Sequence, residues 1–151
     1  MAKPLPNEEV LYQRIRDERI LIPEHVWEEM YYYMGDYISV INLILSYYID
    51  RNEAVPVVDA RRILEYTHRI KEAMIRILHP EKTGEGPSLH PIVRDLFTHY
   101  MGNDVHIINL CVSFYLDPLD EKPVDFEDAK KVLPCTITMH QFLDRLREAT
   151  S

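Results

Sequence analysis

The sequence predicts an all-α domain: a four-helix bundle built from a tandem-duplicated helical hairpin, with a short extra N-terminal helix. Three observations lead to this prediction. Apolar residues recur at helical spacing, and no segment shows the alternation that is typical of a strand. Proline and glycine interrupt the apolar segments at intervals that suit helical hairpins. One stretch of the chain also occurs twice, which indicates a repeated structural unit.

The repeated stretch reads YMGDYISVINLILSYYID at residues 33–50 and YMGNDVHIINLCVSFYLD at residues 100–117. The two copies align without a gap and are identical at nine of eighteen positions. The similarity continues at Pro56-Val57 and Pro123-Val124. After a two-residue slip it resumes as DARRIL at residues 59–64 and DAKKVL at residues 128–133. We interpret the chain as one helical hairpin written twice.

Length and composition predict a single domain with one core. The chain has 151 residues, of which 46% are hydrophobic, and a formal net charge of -8. Such a charge argues against nucleic-acid binding, because phosphate binding needs a basic surface. No stretch resembles a signal peptide, and the longest apolar run, residues 38–49, is too short to span a membrane. We therefore expect a cytoplasmic protein with no membrane and no nucleic-acid partner.

The N-terminal segment, residues 1–21, lies outside the duplication. Two prolines before Asn7 predict a loose tail. Asn7 followed by two glutamates is typical of a helix start, since the side chain can cap the first turn. The resulting helix, ending near Arg19, would place Val10, Leu11 and Ile15 on one side.

The first hairpin is predicted at residues 22–80. Its first helix begins at Pro23, where a missing N–H does no harm, and ends near Arg51. Its second helix begins after Pro56, with Asp59 as the cap, and ends before Pro80. Residues 81–88, which read EKTGEGPS, form the predicted linker.

The second hairpin is predicted at residues 89–151. Its first helix starts at Pro91 and ends near Asp117. The next helix starts near Asp125 and is interrupted at Pro134, because proline cannot donate its N–H and crowds the preceding turn. A final segment then covers residues 138–149. The interruption would allow Cys135 to be exposed.

A helical wheel places a polar stripe on each long apolar helix. The stripes include Glu28, Ser39, Asn42 and Ser46 on the first helix, and Asp95, His99, His106 and Asn109 on the third. One interpretation is a packing seam between two central helices, in which Asn42 and Asn109 bond to each other. A second is a ligand pocket lined by Glu28, Asp95, His99 and His106. A third is a plain solvent-facing strip.

His68 offers an alternative function. It lies in His68-Arg69-Ile70-Lys71, which resembles the His-x-x-Lys spacing of histidine phosphotransfer domains. The resemblance implies an exposed phosphoacceptor His68, with Lys71 as the cation for the phosphoryl oxygens. The wheel places His68 opposite the core stripe of its helix, which such a role requires.

Two further patterns keep other chemistry open. His99 and His106, seven residues apart on the polar stripe, are the pair that could ligate a metal ion. Arg94-x4-His99 resembles the Arg-x4–6-His signature of HEPN-type ribonucleases, although the wheel places the two side chains on different faces. No phosphate-binding loop, nucleophile elbow or Cys-x-x-Cys occurs, so we expect no cofactor.

The leading prediction is therefore a non-catalytic regulatory or adaptor bundle. It would act through a helix face that contacts a protein partner, and it would form a homodimer. The duplicated hairpin and the apolar first and third helices favour this prediction. The ten tyrosines favour it too, because tyrosine suits surfaces with an apolar face and a wet edge.

Overall fold

The computed structural model describes residues 3–80 and 89–151 and is all-helical in those ranges, as the sequence predicts. The predicted linker lies outside the described residues. The elements are α1 (Glu8–Asp17), α2 (Glu24–Trp27), π1 (Glu28–Met34), α3 (Gly35–Ile49), α4 (Val57–Leu78), α5 (Pro91–Phe97), π2 (Thr98–Gly102), α6 (Asn103–Tyr115) and α7 (Phe126–Thr150). None of these helices combines the length and apolarity that crossing a membrane requires.

Two of the long helices contain a π-helical segment. α2, π1 and α3 run on without a break, and so do α5, π2 and α6. A π segment closes its hydrogen bonds five residues apart, which widens the helix and turns the side chains that follow. π1 ends at Met34 and π2 ends at Gly102, so the two ends lie within one residue of aligned positions in the repeated stretch. Neither π segment was predicted from the sequence.

The helices α3 and α6 are separated by the two others. α3 packs against α4 and α7, and α6 packs against the same two helices. The short helix α1 packs across α7 and α5. The core is formed by the inward faces of all these elements and includes Met34, Ile41, Ile63, Ile108 and Leu146.

Several contacts recur at related positions of the chain. The backbones of Val55 and Val124 bond reciprocally, with both N···O distances at 2.9 Å. The phenol of Tyr48 donates to Asp59, and that of Tyr115 donates to Asp128. These carboxylates raise the pKa of each tyrosine to about 12, because they stabilise the neutral phenol. Each bond attaches the end of one helix to the start of the next.

The predicted interruption at Pro134 is wrong. α7 is continuous, with Pro134 inside it. Two threonine hydroxyls donate hydrogen bonds to backbone carbonyls next to the proline. Thr136 donates to Leu133 O at 2.7 Å, and Thr138 donates to Pro134 O at 3.0 Å. Packing of the buried face of α7 outweighs the local cost of proline. Cys135 is consequently buried rather than exposed.

Three details predicted for α1 and α4 are also wrong. Asn7 does hold the cap position of α1, but its side chain makes no capping bond. Val10 is exposed, and the buried face of α1 is instead Tyr12 and Ile15. Pro56, not Asp59, precedes the first residue of α4, which leaves the Asp59 carboxylate to accept from Tyr48.

Candidate functional site

The predicted polar stripes do not meet each other. Because α4 and α7 lie between α3 and α6, Asn42 and Asn109 cannot pair, and that prediction is wrong. Asn42 Nδ2 instead donates to Thr136 Oγ1 at 2.8 Å. Asn109 Nδ2 lies 3.3 Å from Thr67 Oγ1. Each asparagine thus bonds a buried threonine of the other half of the chain.

The four residues of the predicted ligand pocket lie in three separate places, and only Asp95 and His99 share one. Glu28 is exposed and lines a cleft beside the last turn of α7. Asp95 and His99 line a different cleft, next to α1, where the His99 ring contacts the carbonyl oxygen of Lys3. His106 is exposed on α6. The structure therefore does not assemble these side chains into one pocket.

No metal site forms from the described residues. Within 3–80 and 89–151, no three His, Cys, Asp or Glu side chains are close enough together to hold an ion. The alternative pair His99 and His106 gains no third ligand there. Arg94 and His99, the pair of the ribonuclease resemblance, line the same cleft, although the wheel placed them on different faces.

A cleft of about 460 Å³ runs between α3 and α7. Ser39 Oγ lies 3.1 Å from His140 Nε2 inside it. The His140 ring is half-buried at this seam. Burial lowers the pKa of His140, and the carboxylate of Asp144 partly offsets that effect. His140 is therefore predominantly neutral near pH 7.

The Ser39–His140 contact meets one requirement of a nucleophile–base pair. Ser39 lies inside α3, however, where the helix itself uses the neighbouring backbone N–H groups. The serine backbone consequently offers no donors for an oxyanion, unlike a nucleophile at a sharp turn. We assign this contact to packing between α3 and α7.

A charged cluster attaches α1 to the rest of the protein. Arg145 of α7 pairs with Glu8 at 3.2 Å and with Glu9, and its guanidinium lies 4.0 Å from the centre of the Tyr12 ring. Tyr100 donates to Glu8 at 2.5 Å. Burial and this bond raise the pKa of Tyr100 to about 12. Because the charged and polar groups of this cluster bond to one another, we assign it the role of an anchor that holds α1 against α7.

The outer face of α3 carries an apolar stripe that nothing in the described chain covers. Leu43 and Tyr47 are 68% and 51% exposed. Val40, one turn earlier, is half-buried, and Asp36 is exposed at the start of the same face. These four residues recur at spacings of four, three and four, so they lie in line along the helix. We call them the α3 stripe.

The α6 stripe is the corresponding face of the other half. Leu110 and Phe114, which align with Leu43 and Tyr47, are 56% and 69% exposed. Both helices are buried along their opposite faces. Each of these two helices therefore keeps one apolar face towards solvent.

His68 is exposed on the outer side of α4, as predicted. Lys71 is half-buried and Glu72 is exposed on the next turn. The ring could be reached by another protein, and the carboxylate one turn away would disfavour an incoming phosphoryl group.

Comparisons with known protein families, curated proteins and solved structures found no match.

Neither the α3 stripe nor the cluster of Arg145 and Tyr100 was identified from the sequence. The wheel did hold a signal for the stripe, since Asp36, Val40, Leu43 and Tyr47 lie opposite the buried face of α3. The sequence predicted a contact site on a helix face, but these residues were not identified as that face. The Arg145 cluster joins residues more than ninety positions apart, and no local pattern indicates it.

Proposed function

We propose that this protein is a non-catalytic adaptor that forms a homodimer through the α3 stripe. The observation that carries the proposal is the exposure of Leu43 and Tyr47 on a helix whose other face lies in the core. Uncovered apolar side chains in a row are typical of protein–protein contact sites.

We also propose that the protomer is a four-helix bundle made of a duplicated hairpin. The reciprocal Val55–Val124 bridge, the paired Tyr–Asp bonds and the paired Asn–Thr bonds support this interpretation. The equivalent residues Asp59 and Asp128 are 69 positions apart in the sequence, and so are Thr67 and Thr136. Val55 and Val124 have the same separation. The two-residue insertion in the second copy therefore lies before the position of Val55. Pro56 then aligns with Asp125 and not, as predicted, with Pro123.

A second copy of the chain suits the α3 stripe because the stripe is self-complementary. Asp36 lies at one end, and Arg51 lies just past the other end, with its guanidinium 3.6 Å from the centre of the Tyr47 ring. Two copies packed antiparallel would place Arg51 of each beside Asp36 of the other. The apolar residues Val40, Leu43 and Tyr47 would then pack around a two-fold axis near Leu43.

The α6 stripe lacks this self-complementarity. Its residues at the positions of Asp36 and Arg51 are Asn103 and Pro118. An antiparallel pair of α6 helices would gain no ion pair. This difference selects α3 as the dimer face and makes α6 a matched control.

Sedimentation velocity tests the dimer. Wild-type protein should show a concentration-dependent shift from monomer to dimer between about 1 and 100 µM, the range of modest interfaces. Leu43→Ser should remain monomeric, while Leu110→Ser should behave as wild type. The proposal fails if wild type is monomeric throughout, or if the two variants weaken association equally.

Phosphotransfer is a second candidate function, favoured by the exposure of His68. A phosphoryl group would pass from acetyl phosphate to an imidazole nitrogen, with acetate leaving. Intact mass after incubation should then show one acid-labile phosphate in wild type and none in His68→Gln. Unmodified wild-type protein would end this candidate.

A further inference from the structure

The cleft that Glu28 lines lies away from both stripes, where the α2–π1 junction meets the last turn of α7. Its volume is about 380 Å³, within the range of small-molecule sites. The residues that line it are Glu24, Trp27, Glu28, Tyr31, Tyr32, Arg147, Thr150 and Ser151. Three aromatic rings and two carboxylates thus converge on one opening.

The aromatic rings are arranged as adjoining walls. Trp27 and Tyr31 have ring centres 6.0 Å apart and planes at 80°. Tyr31 and Tyr32 have centres 5.8 Å apart and planes at 88°. The π-helical segment explains how both tyrosines reach the cleft, because residues four and five positions after Trp27 then fall near the same face.

The cleft already holds one organic cation of the chain itself. The guanidinium of Arg147 lies 4.5 Å from the centre of the Tyr31 ring. Aromatic faces attract cations through their negative π-surface, and the carboxylates of Glu24 and Glu28 add opposite charge. This combination selects a flat, positively charged group over an anion or a neutral amide.

We infer that this cleft binds the guanidinium group of an arginine in a basic segment of a partner protein. The inference adds the chemistry of a partner to the adaptor function proposed above. It does not depend on the α3 stripe, so a monomeric protein could still bind arginine. The acidic net charge of the chain, -8, also favours a basic partner.

Trp27 is the only tryptophan of the chain, so its fluorescence reports on this cleft alone. The titration uses N-acetyl-arginine amide at constant ionic strength, with N-acetyl-glutamine amide as the neutral control. We expect a saturable change with an affinity on the order of 1 mM for arginine, as suits one cation–π contact with nearby carboxylates. The glutamine compound should cause no saturable change.

Four variants, checked for folding by circular dichroism, locate the response. Tyr31→Leu should weaken arginine binding at least about tenfold, and Glu28→Gln should weaken it about threefold. Arg147→Gln should tighten it about fivefold, because a competing charge a few ångströms away is lost. Tyr33→Leu is the matched control, since Tyr33 is an exposed tyrosine of the same π segment outside the cleft, and its binding should equal wild type.

The inference is overturned if neither wild type nor Arg147→Gln gives a saturable response. It is equally overturned if the glutamine compound matches arginine, or if Tyr33→Leu loses as much affinity as Tyr31→Leu. In those cases the rings and Arg147 serve only to pack α7 against π1.

Discussion

Replacing Thr136 by valine removes one hydroxyl from the seam between α3 and α7 while keeping the shape and β-branching of the side chain. Thr136 is fully buried, and its Oγ1 accepts from Asn42 Nδ2 at 2.8 Å. The variant therefore leaves an amide donor at the cleft edge without its protein acceptor. We expect a loss of about 1–2 kcal/mol in the free energy of unfolding, the usual cost of such a deletion.

Thr67→Val is the matched control in the other seam. Thr67 is equally buried, and both hydroxyls donate to a carbonyl three residues earlier at 2.7 Å. The two sites differ in the hydrogen bond from asparagine. At Thr67 it is longer, with Asn109 Nδ2 lying 3.3 Å from Thr67 Oγ1. Thr67→Val should therefore cost only about half as much, because hydrogen bonds weaken with distance.

Urea unfolding followed by circular dichroism measures both losses. A double-mutant cycle of Asn42→Ala with Thr136→Val should show a coupling energy of about 0.5–1 kcal/mol. If Thr67→Val costs as much as Thr136→Val, or if the cycle shows no coupling, the Asn42–Thr136 bond is not what stabilises this seam.

Three other predictions follow from the structure. Pro134→Ala should raise the free energy of unfolding by up to about 3 kcal/mol without changing helical content, since the helix is already continuous; a loss of helical signal would contradict this. Arg145→Met should speed hydrogen exchange in α1, because Glu8 loses its cation, and unchanged exchange would refute the anchor. The lowered pKa of His140 means that the unfolded chain takes up a proton first as pH falls below about 6.5. The free energy of unfolding of the wild type should therefore fall as the pH drops from about 6.5 towards the lower pKa of His140 in the folded state. The fall should be smaller in His140→Gln, and thermal melts at several pH values measure the difference.

The helices could be predicted because their signals are local. Pro56, Pro80 and Pro91 mark ends that the sequence places within a residue or two of those observed. The continuation of the helix through Pro134 could not be predicted from local sequence, because it depends on the packing of the buried face of α7. The π segments left no trace in residue type, because they are a change of backbone hydrogen bonding rather than of composition.

The candidate sites were harder to predict because they depend on which helices are neighbours. A wheel gives the direction of Asn42 from its own axis but not the helix that lies there. The polar stripe that contains Asn42 was therefore assigned to the wrong partner, Asn109, although the polar face of the helix was identified correctly. Glu28 was selected from the sequence, but Arg147 reaches the same cleft only through tertiary contact.

Exchange of charge at the ends of the α3 stripe tests the central proposal most directly. Asp36→Arg alone and Arg51→Asp alone place like charges together in an antiparallel dimer, so each should shift sedimentation towards the monomer. The double variant restores opposite charges in the reversed order and should recover the wild-type dimer. Single variants that dimerise normally, or a double variant that stays monomeric, would contradict an antiparallel contact through α3.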